Sequence, residues 1–544
     1  MCLTFQKLWG TVMFWADQLA DKVIERAEKE GRVPNIKCQE TPSGGKHIGN
    51  LNDVMRAYFV YKSIILREKE CEFVHMTDDR DPLKGIPLRL VDLNGVWHNT
   101  SEFPDLKKWL GKPLFLVPDP FGCCSSWAEH FTNVWKKGLD GIGVYPMFFS
   151  VNKLYKEGKF EPYIKMVFEK RKLVGEIISK WQRTKSKEYI PFDAICPKCK
   201  TLSNVDDFDL DKKMVHITCR GKPIKGRKTA GCGFEGWVPW SEGKLQWRFE
   251  WPALWGIFNT TYEPFGKDHA EGSWPSGKEI MKRIYEKEPP IPFVYEFFLV
   301  DGRKMSASVG NVFIPQDMVK IMEPEAFNYF YTKRPEKQRD FELAHIFRLV
   351  DEFDEAERIY FGKSKAEISS PLREENTKRM YEMTMNKIPK EYPNRISYAF
   401  AATLMQLMDE DKAIKRLKGL GHVDDKNEAL ARDRLKRAHY WVTHYAAPEF
   451  KIEIISKEEA VREFKELTPN EKNVLTEFAS VLDMPEEEQI KKIQEITKTS
   501  GVKLKRFFQI CYALLLGRDK GPRLVPFIGS LDKNFVKARL RGET

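Results

Sequence analysis

Apolar and polar positions along this chain follow two different periods, and each change of period marks an element. Residues 15–24 carry helical amphipathic spacing and predict a first helix. Residues 33–38 predict a buried strand, followed by the turn Thr41-Pro42-Ser43-Gly44-Gly45 and helical spacing at Ile48, Val54 and Tyr58. Residues 72–76 predict a second strand that ends in Thr77-Asp78-Asp79. Strand, glycine turn, helix and strand in that order open a doubly wound α/β domain. Residues 162–181 place Ile164, Val167, Phe168, Val174, Ile177, Ile178 and Trp181 on one face, which predicts a single long helix with a basic opposite side. Residues 191–244 show little periodicity and read as an insertion. The α/β pattern resumes near Gln246 and reaches a strand at 293–300. Beyond 371 the pattern is helical and charged almost to the end, which predicts an all-α module.

Size and charge narrow this picture. A chain of 544 residues is too long for one core and divides into three or four domains. No apolar run approaches the roughly 20 residues that span a bilayer, so no membrane partner is expected. The apolar stretch 8–14 lacks the length of a secretory signal and runs on into the first helix, which points to the cytoplasm. The net charge is +11, and residues 501–544 hold ten Lys and Arg against three Asp and Glu. That bias suits a polyanionic partner, with a solvated face as the plain alternative. Ten cysteines in this length are no disulfide scaffold, and a reducing compartment fits them.

Two short stretches carry candidate chemistry. His47-Ile48-Gly49-Asn50 follows a strand and a glycine turn and opens a helix. Unpaired N–H groups and the positive dipole end gather at such a place and favour phosphate. Lys304-Met305-Ser306-Ala307-Ser308 follows the later strand, on small residues that let a lysine meet the charge of a leaving pyrophosphate. A structural turn would explain either stretch alone. The pair in this order, each at a strand end, is specific.

The pair resembles the HIGH and KMSKS signatures of the class I aminoacyl-tRNA synthetases. Further stretches resemble the lysine-specific class I enzymes: Thr41-Pro42-Ser43-Gly44, Thr77-Asp78-Asp79-Arg80-Asp81-Pro82-Leu83, Pro118-Asp119-Pro120-Phe121-Gly122-Cys123, and Glu263-Pro264-Phe265-Gly266-Lys267-Asp268-His269-Ala270. The resemblance implies a Rossmann-type catalytic domain followed by a helical anticodon-binding domain. It implies ATP with Mg²⁺, L-lysine and tRNA(Lys) as partners. His47 and Asn50 would contact the ATP phosphates and Gly49 the adenine, with Pro42, Ser43, Gly44, Gly266 and Met305 lining the nucleotide. Asp268 would hold the ribose, and Lys304, Ser306 and Ser308 would close on the pyrophosphate. Thr41, Trp247 and His269 would form the lysine pocket, and a carboxylate from Asp78 or Glu40 would pair with its ammonium. Asn50, Ala307 and Gln39 depart from the family pattern, the last where a glycine is usual. A glutamate enzyme of the same class, or a non-catalytic RNA-binding relative, are the rival readings. A glutamate pocket needs an arginine fork, and no arginine stands in the matched pocket positions.

Cys196-Pro197-Lys198-Cys199 is half of a tetrahedral zinc site. Cys219 and Cys232 would complete it across a spacer in which 220–228 holds five basic residues and no acid. A structural four-cysteine zinc knuckle is expected, with His216 as an alternative ligand that reads better as a strand residue. The expected division is 1–190 and 246–300 for the two halves of the catalytic domain, 191–245 for the zinc-binding insertion, 301–370 for the signature loop and stem contact, and 371–544 for the helical domain.

Overall fold

Five parallel strands, β1 (Asn35–Glu40), β2 (Glu72–Thr77), β3 (Met147–Ser150), β4 (Tyr262–Gly266) and β5 (Ile291–Tyr295), lie in the order β5-β4-β1-β2-β3. The computed structural model describes residues 14–182, 188–222, 231–305, 312–364 and 370–543. The strand order reverses at β1, whose neighbours are β2 and β4. In open α/β sheets ligands bind outside the carboxyl ends of the strands at such a reversal. Helix Leu51–Ile65 crosses from β1 to β2 and buries Leu51, Val54, Met55, Phe59 and Ile64. Helix Trp15–Lys29 packs on it through Ala16, Ala20, Val23 and Ala27, spaced four, three and four apart as one helical face requires.

Several elements differ from the sequence expectation. The long helix over 162–181 is two, Glu161–Glu169 and Arg171–Trp181. Lys170 leaves helical geometry and its ammonium donates to the Ile284 carbonyl, so each half buries its own apolar face. The strand expected over 293–300 ends at Tyr295, and Phe298–Val300 joins a second sheet with Arg303–Lys304 and Arg339–Phe341. Between Val300 and Arg303 stand Asp301 and Gly302 with φ of 47° and 71°. Two consecutive positive φ values make the tight hairpin turn whose twist matches paired strands. The insertion is built from two three-stranded antiparallel sheets of strands too short to show a period.

The described residues form two compact units, one drawn from 1–318, 328–341 and 366–386, the other from 319–327, 342–365 and 387–544. The first holds the sheets. Helix Pro371–Thr384, expected with the helices that follow it, belongs to this unit: Arg379 pairs with the buried Asp17, and Lys62 donates to the Met383 and Met385 carbonyls. The second unit is helical among its described residues, as expected. Its core gathers Phe478, Phe507, Leu514, Leu515 and Phe527. A further anchor is Arg434, fully buried between Glu323 and Asp354 at 2.6 and 2.7 Å. Among the described residues no helix is long and apolar enough to cross a membrane.

Candidate active site

Strand β1 brings polar side chains to one face of a buried sheet. Lys37 lies between Glu263 of β4, at 2.6 Å, and Gln39. Trp251 and Trp255 of helix Trp247–Ile257 also donate to Glu263, so this ion pair is saturated with hydrogen bonds. Gln39 in turn donates to both oxygens of Asp78 at the end of β2. A chain of hydrogen bonds thus runs from the middle of the sheet to its carboxyl edge.

There the residues surround a cleft of about 990 Å³. Thirteen sequence-predicted residues line it: Glu40, Thr41, Ser43, His47, Gly49, Asn50, Asp78, Trp247, Gly266, Asp268, His269, Lys304 and Met305. Pro42 and Gly44 stand behind the lining, where the Pro42 carbonyl accepts from Trp127 and Gly44 abuts Pro87. Ser306 and Ser308 lie outside the described residues.

The first signature turn is held from within. Asn50 accepts from the His47 backbone N–H at 3.2 Å, and Tyr331 donates to the Ile48 carbonyl at 2.7 Å. A Cβ on Gly49 would meet the His47 ring at 2.9 Å and Met305 at 3.1 Å, so only glycine fits there. Burial, then the nearby Lys46 and Lys304, lowers His47 to about 4. The ring is therefore neutral at physiological pH, and its Nδ1 is buried without a hydrogen-bond partner. Lys304 stands over the Phe297 ring at 4.0 Å.

The rest of the lining is acidic and aromatic. Trp247 stacks on Trp251 at 5.3 Å and faces His269 at 5.7 Å. Burial, with Asp81 and Glu250 nearby, pushes the Asp78 carboxyl well above the usual range, against the pull of Lys244. Burial raises Glu40 to about 7, opposed by Lys46 at 3.5 Å. Both Glu40 oxygens are buried without a hydrogen-bond partner. Asp53 is raised to about 8 by burial and by Glu263, although Tyr295 and the Gln39 backbone donate to it. Burial thus disfavours the charged form of these carboxyls, and a bound cation would favour it. Among the described residues no arginine lines the cleft.

Sequence reasoning passed over Lys37, Asp53, Asp81, Lys244 and Glu263 as parts of this site. One signal was present: Asn35, Lys37 and Gln39 put a polar residue at every second position of a strand buried in the sheet.

In the insertion, the Cys196 and Cys232 sulfurs lie 3.5 Å apart and those of Cys199 and Cys219 3.6 Å apart, all four within 4.8 Å. The long spacer closes because Cys219 N–H donates to the Phe234 carbonyl and Gly233 N–H to the Cys219 carbonyl. His216 is a strand residue packed on Trp237. Residues 223–230 of the basic spacer lie outside the described residues.

A doubly wound parallel sheet with the first signature turn after β1, Lys304 and Met305 of the second signature lining the same cleft, and a helical module later in the chain define the class I aminoacyl-tRNA synthetases. The sequence profile of tRNA synthetases class I (K) matches residues 13–387, and that of an anticodon binding domain matches 400–543. The chain is 38% identical over 545 residues to the lysine–tRNA ligase of Halobacterium salinarum, covering 98% of this chain and 97% of that one. It is 33% identical over 556 residues to the lysine–tRNA ligase of Pyrococcus horikoshii, covering 98% and 100%. With that of Methanocaldococcus jannaschii it shares 33% identity over 554 residues, covering 97% and 99%. The chain belongs to the lysine-type class I tRNA synthetase family.

Proposed function

We propose that this chain activates L-lysine with ATP and transfers it to tRNA(Lys). One observation carries the reading: the cleft lining combines Lys304 and a neutral His47 at the signature turn with the buried carboxyl of Asp78 and the aromatic wall of Trp247. A nucleotide triphosphate suits the first group and an alkyl ammonium the second. Glutamate finds no guanidinium fork among the described lining residues.

In the first step a lysine carboxylate oxygen attacks the α-phosphorus. The bond to the bridging oxygen breaks, giving lysyl-adenylate and pyrophosphate. His47 donates to a phosphate oxygen through a ring nitrogen, which burial keeps uncharged. Lys304 meets the charge that grows on the pyrophosphate. Gly49 and Gly266 leave room for the base and ribose, with Asp268 accepting from a ribose hydroxyl. Trp247 covers the alkyl stem, while Asp78 takes the ε-ammonium and Glu40 stands by the α-amine. In the second step the terminal 2′-hydroxyl of the tRNA attacks the acyl carbon and AMP leaves. Mg²⁺ would offset phosphate charge.

The four cysteines fit zinc: their close sulfurs approach the edges of a tetrahedron with bonds of about 2.3 Å. The ion would hold the insertion together. Basic residues in 501–544 supply charge for the anticodon stem. Free cysteines throughout the described residues, with ATP and tRNA as substrates, support a cytoplasmic enzyme. Calorimetric titration with lysine, ornithine and glutamate tests the pocket. Lysine should bind and glutamate should not, and the reverse order would overturn it.

A further inference from the structure

Lys46 and Glu40 form an ion pair to which the two steps above give no part. Glu40 ends β1, Lys46 directly precedes His47 of the first signature, and both line the cleft. The Lys46 ammonium stands 3.5 Å from the Glu40 carboxylate, with the two side chains only 12% and 8% exposed. A charge-assisted hydrogen bond is shorter, about 2.7–2.9 Å. Neither Glu40 oxygen has a hydrogen-bond partner, although both are buried. The pair thus screens the charge of Glu40 without satisfying its oxygens, which is a costly state for a buried carboxylate.

The backbone around Lys46 is held on both sides. A Cβ on Gly45 would meet Val91 at 2.8 Å and Trp97 at 3.2 Å. The His47 N–H is held by Asn50 at 3.2 Å, and the Ile48 N–H donates to the Phe313 carbonyl at 2.8 Å. What can move is the side chain, a flexible four-carbon stem with three donors at its tip. Its ammonium, like that of Lys304, is near enough to the His47 imidazole to lower it. A phosphate oxygen that accepts from His47 is therefore within reach of Lys46.

We infer that Lys46 couples the binding of the two substrates: it screens Glu40 in the free protein, and with ATP bound it turns to the triphosphate and leaves Glu40 to the α-ammonium of lysine. The inference rests on the function proposed above, which puts phosphate at His47 and the α-amine at Glu40. Charge counting gives the direction of the coupling. With lysine alone, two ammonium groups share one carboxylate. With ATP alone, Lys46 either keeps Glu40 and is lost to the phosphates, or leaves it as an unpaired buried charge. Only with both substrates is every charge paired, and the three donors of the α-ammonium then supply the hydrogen bonds that Glu40 lacks. Each substrate favours the other, by factors that linkage makes equal. Lysine is thus seated most firmly when the α-phosphorus it must attack is already in place.

The test is calorimetric titration of lysine into the full-length protein at pH 8, without and with saturating α,β-methylene ATP, and the reciprocal titration of the nucleotide. The nucleotide should tighten lysine binding about tenfold, within the range of about 5- to 150-fold usual for coupled sites, and lysine should tighten nucleotide binding equally. Lys46→Met and Glu40→Gln should each bring the factor below about twofold, while Lys46→Arg, which keeps the charge, should retain most of it. Lysine binding by the unmodified protein that ignores the nucleotide would overturn the coupling and leave the activity in place, and so would an equal factor in Lys46→Met. No lysine binding under any of these conditions would instead overturn the function on which the coupling rests.

Discussion

Gln39 donates from its amide nitrogen to both carboxylate oxygens of Asp78, at 3.1 and 3.3 Å, while its amide oxygen accepts from the buried Lys37 ammonium. The direction of that amide is set by Lys37, which can only donate, so the amide oxygen faces the ammonium and the amide nitrogen is left for Asp78. Asp78 is therefore held in place before any substrate arrives. Removing one partner of a buried ion pair costs roughly 3–5 kcal/mol. Asp78→Asn should raise the KM for lysine about 100-fold or more and leave the KM for ATP within a few-fold. Gln39→Ala, which only loosens the carboxylate, should cost about tenfold. Steady-state pyrophosphate exchange measures both.

The raised carboxylates make lysine binding dependent on pH. Glu40 stands near 7 and Asp53 near 8 in the free protein, so both carry protons at pH 6. A cationic ligand favours the ionised forms, so binding should release protons. Lysine affinity should rise with pH through about 7 and on to about 8 before it levels off. The same groups act on stability with the opposite sign. The folded state binds more protons than the unfolded chain between the ordinary Glu value of 4.5 and about 7, so Glu40 costs stability as pH rises through that window. Glu40→Gln should flatten both profiles, read by calorimetry in two buffers of different ionisation enthalpy and by thermal melting from pH 5 to 8.

Much of this site was legible in the chain. The strand, glycine turn and helix around His47 carried their own signals, because a helix start must follow a turn of small residues. Trp247, Asp268 and His269 were legible only through the family resemblance, since a tryptophan on an apolar helix reads first as core. The acidic set was largely hidden: Asp53, Asp81 and Glu263 lie on three different elements, and only the sheet order β4-β1-β2 brings them together. Lys304 was expected after a strand over 293–300, and it stands instead on the hairpin strand Arg303–Lys304, which was not foreseen. The stretch 293–300 is apolar except for Glu296, and a single charged residue in it is too weak a signal that Glu296 and Phe297 leave one sheet for another.

Lys304 should act on the chemical step. It lies near the signature turn, where it helps lower the pKa of His47. Removing one donor to developing charge typically costs about 2.7–4 kcal/mol. Lys304→Ala should lower kcat for adenylate formation about 100- to 1,000-fold while lysine affinity stays within a few-fold. Single-turnover formation of lysyl-adenylate separates the two.

The four-cysteine cluster should be structural. Cys196 and Cys219 are buried, and the sheets of the insertion meet around them. Cys199→Ser should lower the melting temperature of the first unit and expose the insertion to proteases, while the helices of the second unit keep their transition. Limited proteolysis with mass mapping shows which part opens.

The most direct test of the central claim is charging of total tRNA with each of the twenty amino acids, labelled one at a time, by the unmodified protein and by Lys304→Ala. Lysine alone should be esterified, with the rate falling about 100-fold or more in the variant. Charging with glutamate would keep the class and contradict the pocket. No charging by a folded protein that still binds RNA would contradict the enzyme altogether.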